Sequence, residues 1–448
     1  VATKSAGSSS ALAVGLNRYF SIREKGSTVR TEVTAGVTTF LAMAYIVFVN
    51  PGILSDAGMD FGAVFVATCL AAAIGTLIMG LYAKLPIAQA PGMGLNAFFA
   101  YTVVLGMGIP WETALAATFV SGVLFLVLAL TGARRAVINA IPLPLKLAVG
   151  AGIGLFIAFI GLKNAGIIVA NPATLVGLGE LGEHSTLLAI FGILVTSLFL
   201  MRKLRGAVFY GIVVTAVVGV AFGIADAPSA LVSSPPSLAP TFGAAFAEIP
   251  SLFTVELLVV VFTMLFVDFF DTAGTLIAVT NQAGLLDRDG NLPNDNKALV
   301  ADSTATIAGA ALGTSTTTSY IESAAGVGAG GRTGLTSVVT SILFLLTLFF
   351  SPLLSVVTAA VTAPALVIVG VMMARGLSDI PWDDMAYAIP AFVTIIAMPL
   401  TFSIATGIAL GLVLFPLMLL FKGRVKQISP VMIGLFVAFV AYFIWLVE

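Results

Sequence analysis

Long apolar runs broken by short polar turns set the pattern of the chain. A membrane-crossing helix needs about 20 mostly apolar residues. By that measure the pattern predicts fourteen spans: 33–50, 61–82, 90–107, 113–131, 141–162, 185–201, 206–224, 254–276, 298–312, 316–330, 334–351, 355–375, 384–400 and 403–421. One more apolar stretch, 430–447, follows them. Only 9% of residues are charged, against roughly 25% in soluble domains, and mean hydropathy is +1.11. The expected fold class is an all-α polytopic membrane protein set in a lipid bilayer.

The charges test the count. With the N-terminus cytoplasmic, Lys84, Arg134, Arg135, Arg202, Lys203, Arg205, Arg288, Lys297, Arg332, Arg375, Lys422, Arg424 and Lys426 all fall on inside loops. Asp56, Asp60, Glu112, Glu180 and Glu183 fall outside, with Lys163 the basic exception. This positive-inside pattern predicts a multi-pass plasma-membrane protein. The basic first 30 residues lack an apolar stretch and cleavage site, and read as a cytoplasmic tail. A net charge of −1 leaves no footprint for nucleic acid. One cysteine, Cys69, and one histidine, His184, argue against a thiolate or His-based metal site, a disulfide framework and a Ser-His-Asp triad.

Two halves resemble each other at an offset of about 220 residues. PLKLAVG from Pro144 meets PALVIVG from Pro364, and SGVLFL at 121–126 meets TSILFL at 340–345. Seven spans per half is an odd number, so the second half lies inverted. Inverted repeats are an architecture of secondary transporters, with the site at the midplane between them. Spans 3 and 10 occupy matching positions, and both are poor helices. Span 3 opens QAPGMGLNAFF, and span 10 opens with six Ser/Thr in the seven residues Thr314–Tyr320. Each reads as a short extended stretch followed by a half-helix. Such backbone is tolerated at membrane depth only where protein or a cavity satisfies it.

The candidate binding residues gather around these breaks. Asp268 and Asp271, in VDFFDTAG, share one helical face, where a carboxylate is expensive unless paired or protonated. The alternative is an interfacial pair. Glu322 stands either at the half-helix start beside the cavity or in a capping box with Ser319. Asn96 either lines the site or is a plain N-cap. Gly94, Thr275, Thr316 and Thr317 supply close approach and hydroxyls. Phe98 could stack on a flat ligand, although packing is the commoner role for a phenylalanine. Asp302 reads as interfacial, Lys146 as snorkelling and Glu32 as solvated. Carboxylates, an amide and hydroxyls suit a neutral ligand rich in N–H donors. Protonation of Asp268, Asp271 or Glu322 offers proton coupling with no other cofactor.

QAPGMGLNAFFAYTVV, VDFFDTAGTLIAV and GTSTTTSYIESAAGVGAGGRTGLTSV closely resemble signatures of the AzgA-like purine permeases, the hypoxanthine/guanine/adenine branch of the nucleobase–cation symporter-2 superfamily. The N-terminal RTEVTAGVTTFLAMAYIVFVNPGIL also resembles that branch, and the resemblance runs from about residue 16 to 447. It implies proton-coupled purine import by an elevator movement. The implied parts are a core of spans 1–4 (31–132) and 8–11 (250–352), and a gate of spans 5–7 (133–225) and 12–14 (353–424). It places Gly94, Asn96, Asp268, Asp271 and Glu322 at purine-site positions without fixing the division of labour among them; the expectation is that Asp271 and Glu322 hydrogen-bond the base, Asp268 supports them or carries the proton, and Asn96 fixes the ring edge. A homodimer is expected by analogy of fold. Three other readings compete. An anion transporter on this fold would want a basic residue where three carboxylates stand. An intramembrane aspartyl protease needs aspartates on separate helices, one in Gly-x-Gly-Asp, whereas Gly92-Met-Gly94 is followed by Leu95. A passive channel needs no broken, repeated helices.

Overall fold

Helix starts are where the sequence places side chains able to satisfy free N–H groups. In the computed structural model, which describes residues 11–131, 142–286, 292 and 295–445, Thr28, Asp60, Thr254, Thr333, Asp384 and Ser403 each cap a helix through the side chain. Span 1 is two helices, Val29–Met43 and Ile46–Asp56, and span 2 runs Phe61–Ile78 with a further turn to Ala83. Span 4 is Trp111–Thr131, span 5 Leu143–Asn164, span 6 His184–Met201 and span 7 Ala207–Ala221. Span 8 is Val255–Gln282, span 9 Asp295–Leu312 and span 11 Gly334–Thr347, extended to Val356. Spans 12, 13 and 14 are Ala359–Met373, Met385–Thr401 and Ile404–Phe421. Among the described residues nine helices are long and apolar enough to cross a membrane, and shorter apolar helices stand at spans 3, 7 and 13.

Spans 3 and 10 break as their composition predicts. Strand β1 (Gln89–Pro91) leads into the helix Met93–Ala97, which continues as a wider turn to Gly106. Spans 5 and 6 are joined by a hairpin of β2 (Ile168–Asn171) and β3 (Leu175–Leu178). Strand β4 (Thr317–Ser319) leads into the half-helix Ser323–Gly328. β1 and β4 pair antiparallel, Gln89 opposite Ser319 and Pro91 opposite Thr317. Gly92 N donates to Thr316 O and Tyr320 N to Ala88 O, both at 2.9 Å, which lengthens the ladder at each end. Each broken span thus satisfies the other's backbone.

The helices pack in two sets. Spans 1, 2, 4, 8, 9 and 11 enclose the strand pair, while span 5 packs on 12 and 13, span 6 on 7 and 12, and span 13 on 14. Within the second set, a Cβ on Gly154 of span 5 would stand 2.9 Å from Gly370 O of span 12. Only glycines allow that approach. Between the sets the meeting points include span 1 on spans 7 and 12, span 3 on spans 5 and 14, and span 7 on the extension of span 11, with Phe266 and Val267 of span 8 beside Leu145 of span 5 and Ile408 of span 14. The fold is therefore a seven-plus-seven arrangement of core and gate.

Several expectations need correction. Within the N-terminal tail the helix Ala11–Phe20 docks, with Phe20 and Ile22 buried against Leu335, while Arg18, Arg23 and Arg30 are exposed. Glu32 is buried rather than solvated. It accepts from Arg332 N at 3.0 Å, Thr333 N at 3.2 Å and Thr336 Oγ1 at 2.6 Å, so it holds the start of span 11, where a carboxylate meets the positive end of the helix. The hairpin over 168–178 was not foreseen. The segment after span 14 is a helix, Pro430–Trp445, packed on span 14. Residues 1–10, Arg134, Arg135 and Arg288 lie outside the described residues.

Candidate functional site

The strand pair rests on a buried carboxylate. Asp302 of span 9 is 0% exposed. Its Oδ1 accepts from Gln89 Nε2 at 2.8 Å and Ser319 Oγ at 2.7 Å, and its Oδ2 from Thr272 Oγ1 at 2.7 Å. One side chain therefore ties together β1, β4 and span 8. The interfacial reading of Asp302 fails because span 9 starts at Asp295, two turns earlier, and carries Asp302 into the core. Three donors compensate the burial of a charged carboxylate.

Asp268, one turn of span 8 before Thr272, is also buried, at 1%. It is served far less well. Its Oδ2 lies 3.1 Å from Thr306 Oγ1, which is also 2.8 Å from the Thr317 carbonyl. Its Oδ1 is buried with no hydrogen-bond partner.

Asp271 has a different environment. It is exposed, although Phe269 and Thr272 beside it are buried. Gly274, Ala278, Asn281 and Gln282 continue its helical face and are exposed too, and a Cβ on Gly274 would meet nothing within 4 Å. In the other direction the same face carries Val260, Met264 and Val267, all buried. The apolar positions Leu258, Phe262 and Ile277 are exposed on another side. Span 8 thus borders a crevice that opens toward Gln282 and closes above Asp271.

Glu322 is half-buried at the start of the span 10 half-helix. No capping box forms, since Ser319 is committed to Asp302 and Glu322 makes no side-chain cap bond. Instead Tyr45 OH, at the kink of span 1, donates to Glu322 Oε1 at 2.6 Å. Asp271 lies close enough to Glu322 to feel its charge. Gly94 is partly exposed, and a Cβ there would come within 2.5 Å of Ile153 Cγ2 on span 5. It marks the point where core and gate meet most closely at the break.

The remaining candidates lie deeper. Asn96 is not an N-cap: it is the fourth residue of its helix, which Gly92 precedes. Its buried amide accepts from Ser315 Oγ and donates to Pro91 O at 3.4 Å, so it links spans 3 and 10. Phe98 is packed in the main apolar core. Thr275, Thr316 and Thr317 are buried, and the hydroxyls of Thr316 and Thr317 have no partner. Lys146 is half-buried and lines a small apolar cavity with Phe266 and Val267 of span 8.

Sequence reading missed Asp302, Gln89, Tyr45 and Glu32. One signal was available: Gln89 stands directly before the Ala-Pro-Gly break, where a buried amide would need a partner.

Residues 30–410 match the permease family Xan_ur_permease. The guanine/hypoxanthine permease PbuG of Bacillus subtilis (strain 168) is 54% identical over 440 residues, 96% of this chain and 100% of the relative. The adenine permease AdeP of Escherichia coli (strain K12) is 47% identical, covering 93% of each chain. Among solved structures, the transmembrane domain of the cyanobacterial bicarbonate transporter BicA has a TM-score of 0.63 at 15% identity, covering 84% of this chain and 96% of that one. SLC26A9 has a TM-score of 0.64 at 11% identity, covering 92% and 69%. Those two share the fold; the sequence relatives carry more, and with them the chain belongs to the permease family Xan_ur_permease, as a membrane permease rather than an enzyme.

Proposed function

We propose that this permease carries purine nucleobases across the plasma membrane by proton symport, with its N-terminus in the cytoplasm and the core moving past the gate like an elevator. The observation that carries the reading is the one-sided crevice ending at Asp271 and Glu322, between spans 8 and 10, in a chain 45–54% identical to guanine/hypoxanthine and adenine permeases. In the proposed orientation the crevice opens to the cytoplasm. Asp271 and Glu322 accept from ring N–H groups of the base, and Tyr45 holds Glu322 in place. Asn96 and Asp302 keep the two broken spans together behind them.

The coupling proton sits on Asp268 in this reading. Thr306 has one hydroxyl proton and two acceptors, Asp268 and the Thr317 carbonyl. A protonated Asp268 donates to Thr306, which then donates to Thr317, and both contacts are used. The orphaned Oδ1 also costs less on a neutral acid than on an anion. Asp302 has three donors and lacks the orphaned oxygen that marks Asp268.

An anion carrier on this fold is the second reading, favoured by the fold shared with a bicarbonate transporter. Two carboxylates at the crevice end oppose it. Uptake of labelled hypoxanthine, guanine and adenine into cells lacking purine permeases, with and without a protonophore, tests the proposal. Uptake that collapses with the gradient is expected. Bicarbonate or sulfate uptake without purine uptake would overturn it.

A further inference from the structure

A second cavity lies on the opposite face, where spans 1 and 5 end and spans 2 and 12 begin. It has a volume of about 160 Å3 and is lined by both core and gate, from Asp56 and Asn164 at the ends of spans 1 and 5 back along span 1 to Phe48 and Val49. Phe48 and Val49 stand one helical turn from Tyr45, the residue bonded to Glu322. The cavity and the crevice therefore approach the same point from opposite sides. The volume is ample for a flat ring, since an apolar cavity of roughly 150 Å3 takes up benzene.

Its lining is unlike that of a packing defect. Asp56 accepts from Tyr101 OH at 2.6 Å, and Asn164 is close to the same hydroxyl. Thr358 Oγ1 is buried without a partner although Thr358 stands at the N-cap of span 12, where such a hydroxyl normally bonds a backbone N–H. Phe48 and Phe61 add ring faces. A carboxylate, an amide and a free hydroxyl beside aromatic walls suit a neutral planar heterocycle with N–H donors, and Asp56 repels anions.

We propose that this cavity is an outer binding station, where the base is held before the core moves and from which it passes to Asp271 and Glu322. The proposal rests on the transport reading above, and the test separates the two. Gly52 lines the cavity, and a Cβ there meets nothing within 4 Å, so Gly52→Cys is tolerated sterically. Cys69, buried, is the chain's one cysteine, and Cys69→Ser gives a clean background.

The rate at which a membrane-impermeant methanethiosulfonate reagent labels the Gly52→Cys variant from outside is measured against hypoxanthine and adenine concentration. At ten times the station's Kd, labelling should slow about tenfold, following 1 + [L]/Kd. The same measurement in an Asp271→Asn background removes the inner site. Protection that persists there supports the station. Protection seen only with Asp271 intact overturns it, because the base then acts from the inner site by moving the core. Absence of protection from either purine in both backgrounds also overturns it. Purine uptake by the Cys69→Ser parent is recorded alongside: its absence defeats the transport reading, whereas uptake without protection defeats the station alone.

Discussion

Tyr101 of span 3 meets Phe402, at the turn between spans 13 and 14, edge to face, with ring centroids 5.7 Å apart at 84°. This contact joins core to gate beside the cavity at Asp56. Thr102 Oγ1 adds a long bond to Phe402 O at 3.4 Å, while Phe156 and Phe159 hold the Phe402 ring from the gate side. Phe402 itself has φ +54°, a left-handed conformation that is unfavourable for a side chain this bulky. The strain and the ring cluster together fit a latch that closes the face opposite the crevice.

Phe402→Ala should loosen that latch. An edge-to-face pair contributes about 0.5–1.5 kcal/mol beyond burial, so the open population should rise roughly two- to tenfold. Labelling of an Ile153→Cys reporter by an impermeant reagent from the Phe402 side measures it. An unchanged rate would remove Phe402 from the gating role.

Asp302 and Asp271 should fail in opposite ways. Asp302→Ala removes the shared acceptor of Gln89, Ser319 and Thr272; Thr272 keeps Thr318 at 2.8 Å and Gln89 a longer bond to Ser319 at 3.3 Å, and each buried donor left unpaired costs about 1–3 kcal/mol. The solubilised protein should melt several degrees lower. Asp271→Asn touches an exposed side chain, should change stability by less than about 0.5 kcal/mol, and should abolish purine uptake. Thermal unfolding and uptake on both variants settle it. A stable Asp302→Ala protein or an active Asp271→Asn protein contradicts the assignment.

Asp268→Asn mimics the protonated acid, because an amide can also donate to Thr306. The variant should fold and exchange purine across the membrane with no gradient, yet fail to accumulate it when a pH gradient is imposed. Counterflow and gradient-driven uptake in proteoliposomes separate these. Normal accumulation would place the coupling proton elsewhere.

The broken spans were legible because their chemistry is local: Pro91, Gly92 and Gly94 stop one helix, and the Ser/Thr run from Thr314 stops the other. The acidic pair was visible as charge in an oily helix. Asp302 was not legible, because the partner that makes it a hub, Gln89, stands 213 residues away, and an aspartate soon after a polar turn looks interfacial. Glu32 reaches Thr333 across 301 residues and was misread for the same reason. The 168–178 hairpin is mostly exposed and lacks the alternation that would reveal a strand.

The end of the gate that carries Lys422 and Arg424 should be indifferent to the pH range in which transport runs. Lys422 Nζ and Arg424 each reach Asp384 at 2.6 Å. The Lys422 bond first, and Arg424 after it, hold the Asp384 carboxyl down at about 2, below its ordinary 3.8. A depressed carboxylate contributes stability that is present above its ordinary value and lost as pH falls through the depressed one, here between 3.8 and about 2. Uptake profiles of the wild type and Asp384→Asn from pH 5 to 8 should therefore superimpose after scaling. A displaced profile would make the clasp part of the coupling machinery.

Gly94 gives the sharpest steric test of core against gate. A methyl at this position would stand 2.5 Å from Ile153 Cγ2, far inside van der Waals contact, and the second residue of the helix has little freedom to retreat because Gly92 and Asn96 are tied to span 10. Gly94→Ala should therefore push span 3 off span 5 in this conformation, costing about 1–3 kcal/mol as overpacking does. That amounts to roughly a five- to hundredfold loss of this state's population. Uptake should fall while the protein remains in the membrane. Ile153→Ala removes the opposing methyl, so the double variant should recover much of the uptake that Gly94→Ala loses. Uptake as low in the double variant as in Gly94→Ala would mean that glycine serves the bound base and not the passage of the core along the gate.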